Sequence, residues 1–485
     1  MKDSHLKCTG CESVYSFDLN RPIYGCDNRK KDAANHILEK FLPATLSFNI
    51  SKILDITQNR DPYILFKKYF FSYYLAEKLN VNYELIVNSI NSELRKFGEP
   101  GFNFTPLIVK DDIKGIPGKT LIKNETVNVS GSHKARHLMG NIIYIEVLRK
   151  AGIINEKPKL AIYSCGNAAL GAAAVAKAAG YILSVFIPPN VNTNVIEKLK
   201  FYGAIIVECP RISGQTGDPC YNRFQEALES GAVPFSCSGP DNWSNIEGGQ
   251  TLGLELFAQA ALAKQKINSV VIQVGGGALA SSAVKSIEEL NSTNTPSCFP
   301  SIHTVQTEGG FPLFRAFLLV LKMIAKTNHL KCSLHISNTP EYEENNKSYL
   351  NYFDMYLGEI LSISAFAKLN YSSDKIQNVL KECTKNMNKF MWPWEGEPHS
   401  IAHGILDDVT YDWFKIIQGM LKSGGIATTV TEQELINANI IAKSISGIKV
   451  DPTGSSGFAG YIKLKKLNII SKDSSTAIIF TGVER

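Results

Sequence analysis

An α/β fold built on parallel sheet is what this sequence predicts, and three observations predict it. From about residue 160 to 290, short and wholly apolar runs alternate with helix-patterned stretches. Several of those runs end in small-residue or glycine-rich turns, as strands do where they feed a helix. The chain is 485 residues long, more than one hydrophobic core accommodates, so two or more domains are expected.

The elements follow in order. Leu160-Ala161-Ile162-Tyr163 reads as a strand closed by Ser164-Cys165-Gly166, and the alanine-rich stretch from Ala168 to Ala179 reads as a helix. Leu183 to Ile187 is a second strand, with Pro188-Pro189-Asn190 as its exit. Val195 to Phe201 is a helix and Ala204 to Val207 a strand. Helix Tyr221 to Glu229, strand Val233 to Cys237 and helix Glu247 to Ala263 come next. Strand Ser269 to Val274 and helix Ala278 to Leu290 close the run. The flanks differ. Residues 60–100 pattern as helix, with aromatics gathered at 69–74. Residues 310–395 pattern as helical and polar, with a surface loop from Thr339 to Lys347.

Bulk properties narrow the function. A net charge of +6 is small over this length, and no Lys/Arg block points to nucleic acid. The most apolar run, Ala316 to Leu321, is too short to span a bilayer. The first residues, MKDSHLKCTG, lack the apolar segment of a secretory signal, so the ten cysteines read as reduced thiols in a cytoplasmic protein.

Four segments carry chemistry. Lys134, in Ser130-Gly131-Ser132-His133-Lys134-Ala135-Arg136, falls where a strand gives way to a helix. A helix start and burial both favour a neutral amine, which imine formation requires. By itself, a lysine at such a position is most often a surface cation. Ser164-Cys165-Gly166-Asn167-Ala168 is a small-residue turn opening a helix, where backbone N–H groups can hold an anion such as a substrate carboxylate. Gly275-Gly276-Gly277-Ala278 follows a strand and precedes a helix. It lacks the Gly-Lys-Ser/Thr of a Walker loop and the GxGxxG spacing, but its amides can converge on a phosphate. Thr481 ends a strand near the C-terminus, where its hydroxyl can meet a ring nitrogen.

In this order the four segments resemble the fold type II pyridoxal phosphate enzymes, a family that includes threonine synthase, threonine and serine dehydratases, cysteine synthase and the tryptophan synthase β chain. The likeness runs from about Thr105-Pro106-Leu107 to the C-terminus. It implies two three-layer, parallel-sheet domains with pyridoxal 5'-phosphate in the cleft between them. The large domain would comprise 31–135 plus 240–485, with a helical insertion at about 310–397. The small α/β domain would be 136–239, and 1–30 a cysteine-containing arm. The resemblance implies that Lys134 forms the imine and acts as general base. Asn167 lies by the phenolic oxygen, Gly275, Gly276, Gly277 and Ala278 cradle the phosphate, and Thr481 faces the pyridine nitrogen. Ser164, Cys165, Gly166 and Ala168 would hold the substrate carboxylate. Ser400-Ile401-Ala402-His403-Gly404 resembles a family segment in which His403 takes the place of an aspartate, so His403 is expected to touch substrate.

The reaction expected is β-elimination or β/γ-replacement on a small hydroxy or substituted amino acid, in the manner of threonine synthase. A threonine/serine dehydratase or a diaminopropionate-type ammonia-lyase releasing a 2-keto acid is the alternative, and a non-catalytic coenzyme-binding protein the second. A dimer is expected by the same resemblance. Cys8 and Cys11, separated by two residues, with Cys26 downstream, look like a zinc ribbon one ligand short, which His5 could complete; three cysteines do not close a site, so zinc is admitted but not expected.

Overall fold

The computed structural model describes residues 4–16, 21–42, 60–113, 115–211, 218–291, 299–334, 349–350 and 353–485. The expected loop from Thr339 to Lys347 lies outside them. The chain begins with three short strands, β1 (His5–Cys8), β2 (Val14–Tyr15) and β3 (Leu38–Phe41), which form an antiparallel sheet in the order β2-β1-β3. The N-terminal unit thus continues past residue 30, because β3 supplies one edge of its sheet.

The inner apolar runs become strands because they are buried between helices, wholly so at Ser269–Gln273 and Thr476–Phe480, whereas the edge run Ile205–Glu208 leaves Ile205 exposed. β4 (Leu107–Ile113) and β5 (Ile116–Asn124) pair antiparallel. β6 (Leu160–Tyr163), β7 (Leu183–Ile187), β8 (Ile205–Glu208) and β9 (Val233–Pro234) form a parallel sheet in the order β8-β7-β6-β9. β10 (Ser269–Gln273), β11 (Ser301–Thr307), β12 (Ala427–Val430) and β13 (Thr476–Phe480) join β4 and β5 in a six-stranded sheet, in the order β12-β11-β10-β13-β5-β4. Every pairing in it is parallel except that of the edge strand β4.

The helices lie close to the expected spans: Asn167–Ala179, Thr193–Phe201, Pro219–Glu229, Ser244–Leu262 and Ala278–Asn291. One expectation needs correction. Within 310–395 the described residues form the helices Pro312–Thr327, Leu357–Leu369 and Asp374–Lys385, but the first of these is not polar: Leu313, Phe314, Phe317, Leu318 and Leu321 are fully buried in the core of the larger sheet. Arg315, itself buried, bonds the Glu395 carboxylate and Trp392 O. Among the described residues no helix is long and apolar enough to cross a membrane.

Candidate active site

Lys134 is the first residue of the helix Lys134–Lys150. That helix start is fixed from below by a buried ionic network. Arg136 gives Nε to Glu125 Oε2 at 2.8 Å and Nη2 to Glu125 Oε1 at 2.9 Å. Its Nη1 lies 3.0 Å from Glu255 Oε2, and Lys123 Nζ bonds Glu255 Oε1 at 2.5 Å. All four side chains are at most 1% exposed. Burial alone would raise the Glu125 carboxyl; the Arg136 guanidinium outweighs it and holds it at about 2. A two-pronged carboxylate–guanidinium pair sets direction as well as distance, so the turn that carries Lys134 is oriented from the core of the protein.

Above this network the expected site residues converge. The Gly276 amide donates to the Asp407 carboxylate, and Asp407 lies in the electrostatic field of Lys134. Asp412 also feels Lys134, and its own amide donates to Gly276 O at 3.1 Å. Thr410 Oγ1 donates to Gly275 O at 2.9 Å. The segment 405–412 therefore closes over the glycine turn between β10 and the helix Ala278–Asn291. A Cβ on Gly275 would stand 2.3 Å from Asp407 Oδ2, and Gly277 takes φ +100° beside Thr410 and Asp412. The glycines are needed at both places. Burial pushes Asp407 up, and burial pushes Asp412 up to about 7; among the described residues Asp412 Oδ2 has no hydrogen-bond partner.

On the opposite wall, Asn167 opens the helix Asn167–Ala179, and its Oδ1 accepts from Arg485 Nη1 at 2.6 Å. Arg485 Nη2 also donates to Ser130 O, four residues before the lysine. The turn Ser164 to Gly166 leaves β6, with Gly166 N–H on Ser164 Oγ at 3.4 Å and Cys165 exposed. Thr481, just past β13, accepts from the His133 amide at 3.0 Å, and His133 Nδ1 is 2.8 Å from the same oxygen. Burial, reinforced by the Lys134 charge, holds the His133 imidazole far below its usual range, so it is neutral.

These residues fit pyridoxal phosphate. The glycine turn already holds a carboxylate oxygen at an amide, the kind of anionic oxygen a phosphate presents. Lys134 lies within electrostatic reach of Asp407 at that turn, and the segment 130–134 is tied to Asn167 through Arg485 and to the Thr481 hydroxyl through His133. A family profile described as "Pyridoxal-phosphate dependent enzyme" matches residues 99–367, more than half of the chain. The chain belongs to that family. Over 367 residues it is 22% identical to the threonine synthase of Methanocaldococcus jannaschii, covering 74% of this chain and 69% of the relative. Over 229 residues it is 28% identical to a serine dehydratase-like protein of Rattus norvegicus, covering 47% of this chain and 63% of the relative, less than two thirds of it. Among solved structures, a serine racemase from Dictyostelium discoideum superposes with a TM-score of 0.52 at 17% identity over 82% of this chain and 98% of that one, a likeness of fold. A threonine deaminase crystal structure does so with a TM-score of 0.53 at 20% identity over the same shares. The architecture is that of the fold type II members, and pyridoxal 5'-phosphate is the family's coenzyme.

Other expected residues lie elsewhere. His403 is exposed on a 3-10 turn whose Gly404 amide donates to Thr453 Oγ1, and His399 faces Glu397 Oε2 at 4.0 Å. Cys8, Cys11 and Cys26 do come together, but His5 does not join them: its ring stacks on Phe41 at 5.1 Å. The imidazole beside the three thiols is that of His36. Sequence reasoning passed over His133, Asp407, Asp412 and Arg485. The first is adjacent to the lysine, and Asp407 and Asp412 fall in the acidic stretch after Ser400-Ile401-Ala402-His403-Gly404, so a signal was present. Arg485 had none, because only the β13 pairing brings it to Asn167.

Proposed function

We propose that this protein is a threonine-synthase-like enzyme that carries out β-elimination or β/γ-replacement on a small hydroxy or substituted amino acid, with Lys134 as imine-forming residue and general base. The observation that carries the reading is the neutral hydroxyl of Thr481 beside the lysine's helix, in place of a carboxylate. Pyridoxal phosphate, when bound, would supply the electron-withdrawing ring that makes the substrate's α-proton removable. Lys134 Nζ takes the α-proton, and Asp407 and Asp412 shape the field in which it does so. Asn167, with Gly275, Gly276, Gly277 and Ala278, would hold the coenzyme. Ser164, Cys165, Gly166 and Ala168 would anchor the substrate carboxylate through the turn amides. The exposed His403 would meet substrate at the cleft rim.

Arg485 supports the synthase branch. A guanidinium hydrogen-bonded to Asn167 offers an anionic leaving group a partner that an uncharged hydroxyl substrate does not need. The second reading is a dehydratase or ammonia-lyase that releases a 2-keto acid, favoured by the serine dehydratase-like relative. A substrate panel on the purified, coenzyme-loaded protein separates them. Phosphate release from phosphohomoserine, at a rate above that of keto-acid release from threonine, serine or diaminopropionate, supports the first. Keto-acid release alone supports the second. Loading with coenzyme but no turnover of any panel member would point to a binding protein.

A further inference from the structure

The N-terminal sheet carries a second cluster that the coenzyme chemistry does not use. We propose that Cys8, Cys11, Cys26 and His36 form a tetrahedral zinc site that holds the N-terminal sheet together. One ligand atom from each of the four residues lies within 4.8 Å of every other. Cys8 Sγ is 3.4 Å from His36 Nδ1, and Cys11 Sγ is 3.5 Å from Cys26 Sγ. A tetrahedron with metal–sulfur bonds of about 2.3 Å and a metal–nitrogen bond of about 2.0 Å has edges of roughly 3.5–3.8 Å. Three thiolates and one imidazole in that shape are the donor set of structural zinc.

The surroundings are those of ligands rather than of stray thiols. Cys8 and Cys11 sit on the turn between β1 and β2, where the amides of Gly10 and Cys11 point at Cys8 Sγ. Glu12 takes φ +61° there, which closes the turn. Asn28 gives its backbone N–H to Cys26 Sγ and its side-chain amide to Cys11 Sγ, both at 3.4 Å, and Tyr15 Oη donates to Cys26 Sγ at 3.5 Å. Such donors stabilise sulfur that carries negative charge. His36 Nδ1 faces the cluster while Nε2 meets Asp32 Oδ1 at 2.8 Å. A carboxylate behind an imidazole fixes its tautomer and turns the other nitrogen toward a metal. The sheet needs such a clamp: its strands are four, two and four residues long, too little to hold a core by themselves.

The site also touches the cleft through one chain of bonds. Asn35, next to His36, accepts from Trp413 Nε1 at 3.1 Å and gives its amide to Thr384 O. Trp413 follows Asp412, whose amide holds Gly276 O. Metal at the clamp thus steadies the segment that covers the glycine turn.

The test is metal analysis of the full-length protein. About one zinc per chain, retained through gel filtration and released by a mercurial, is expected. Cobalt in its place should give the intense long-wavelength bands of a tetrahedral thiolate site. Cys26→Ser and His36→Ala should lower bound metal at least about tenfold, and Cys332→Ser should leave it unchanged. Because the cobalt spectrum is read on the unaltered protein, misfolding of a variant does not spoil the result. Protein that binds neither metal, or that carries a Cys11–Cys26 disulfide when isolated under zinc, would overturn the proposal, as would equal zinc in Cys26→Ser.

Discussion

The His133 amide donates to Thr481 Oγ1 at 3.0 Å, and His133 Nδ1 lies 2.8 Å from that same oxygen. One lone pair of the hydroxyl is therefore committed to the backbone, and the second contact turns on the tautomer. If Nδ1 carries the proton it donates to Oγ1, and the Thr481 hydroxyl proton is free for the ring nitrogen. If Nδ1 is bare it takes that proton instead. Thr481→Ser should keep the arrangement and most of the activity. Thr481→Val strands the buried amide and should lower stability by about 1–3 kcal/mol, read as a fall in the thermal midpoint. Thr481→Asp should keep the coenzyme ring protonated and raise racemisation or transamination relative to elimination, read by chiral product analysis. An unchanged product ratio in Thr481→Asp would count against the neutral-hydroxyl reading.

The Glu125–Arg136 pair makes a prediction about acid stability. A carboxyl held at about 2, against its ordinary 4.5, stabilises the folded state above its ordinary value. That contribution is lost as pH falls from there through the folded value. Glu125→Gln leaves Arg136 buried with one carboxylate fewer and should cost about 3–5 kcal/mol near neutrality. Its stability should also depend less steeply on pH below about 5. Urea denaturation at a series of pH values measures both.

Asp412 works in the opposite sense. Its carboxyl is raised to about 7 by burial, so the stability it contributes is present below its ordinary value and lost as pH rises through the folded one. Its charge then appears beside the glycine turn, where a phosphate would bind. Coenzyme affinity should therefore weaken between about pH 6 and 8.5, and Asp412→Asn should flatten that part of the profile. Equilibrium titration by absorbance provides the measurement; parallel profiles in the two proteins would refute the assignment.

Of the three glycines in the turn, Gly277 alone takes a positive φ. With φ +100°, and a Cβ that would meet Ile416 and Thr410 at 3.0 Å, Gly277→Ala should cost about 1–3 kcal/mol and weaken coenzyme binding. Gly358→Ala, where a Cβ meets nothing within 4 Å, should be neutral or stabilising by up to about 1 kcal/mol. Thermal melts with and without coenzyme compare the two.

The alternation of apolar runs with helices made the two parallel sheets readable, because strands buried on both faces leave an uninterrupted apolar signature. The roles of Lys134, Asn167, the three glycines and Thr481 at a coenzyme belong to the proposal, but their placement at strand ends or helix starts was readable for a related reason. Contacts set by distant pairing were not. His36 reaches the three cysteines only because β3 pairs with β1, while His5, nearer in sequence, faces Phe41. The polar pattern expected across 310–395 failed at Pro312–Thr327, although its apolar run Ala316 to Leu321 stands out in the sequence and is buried in the core. His403 matched a motif, yet its side chain is exposed on the turn His403–Ile405.

The account stands most directly on the nitrogen of Lys134. Protein incubated with pyridoxal phosphate and then reduced with borohydride should carry the pyridoxyl label on the peptide containing Lys134, seen by mass spectrometry, and Lys134→Ala should lose both the label and the visible absorbance. A colourless wild-type protein, or a label confined to any other lysine, would contradict it.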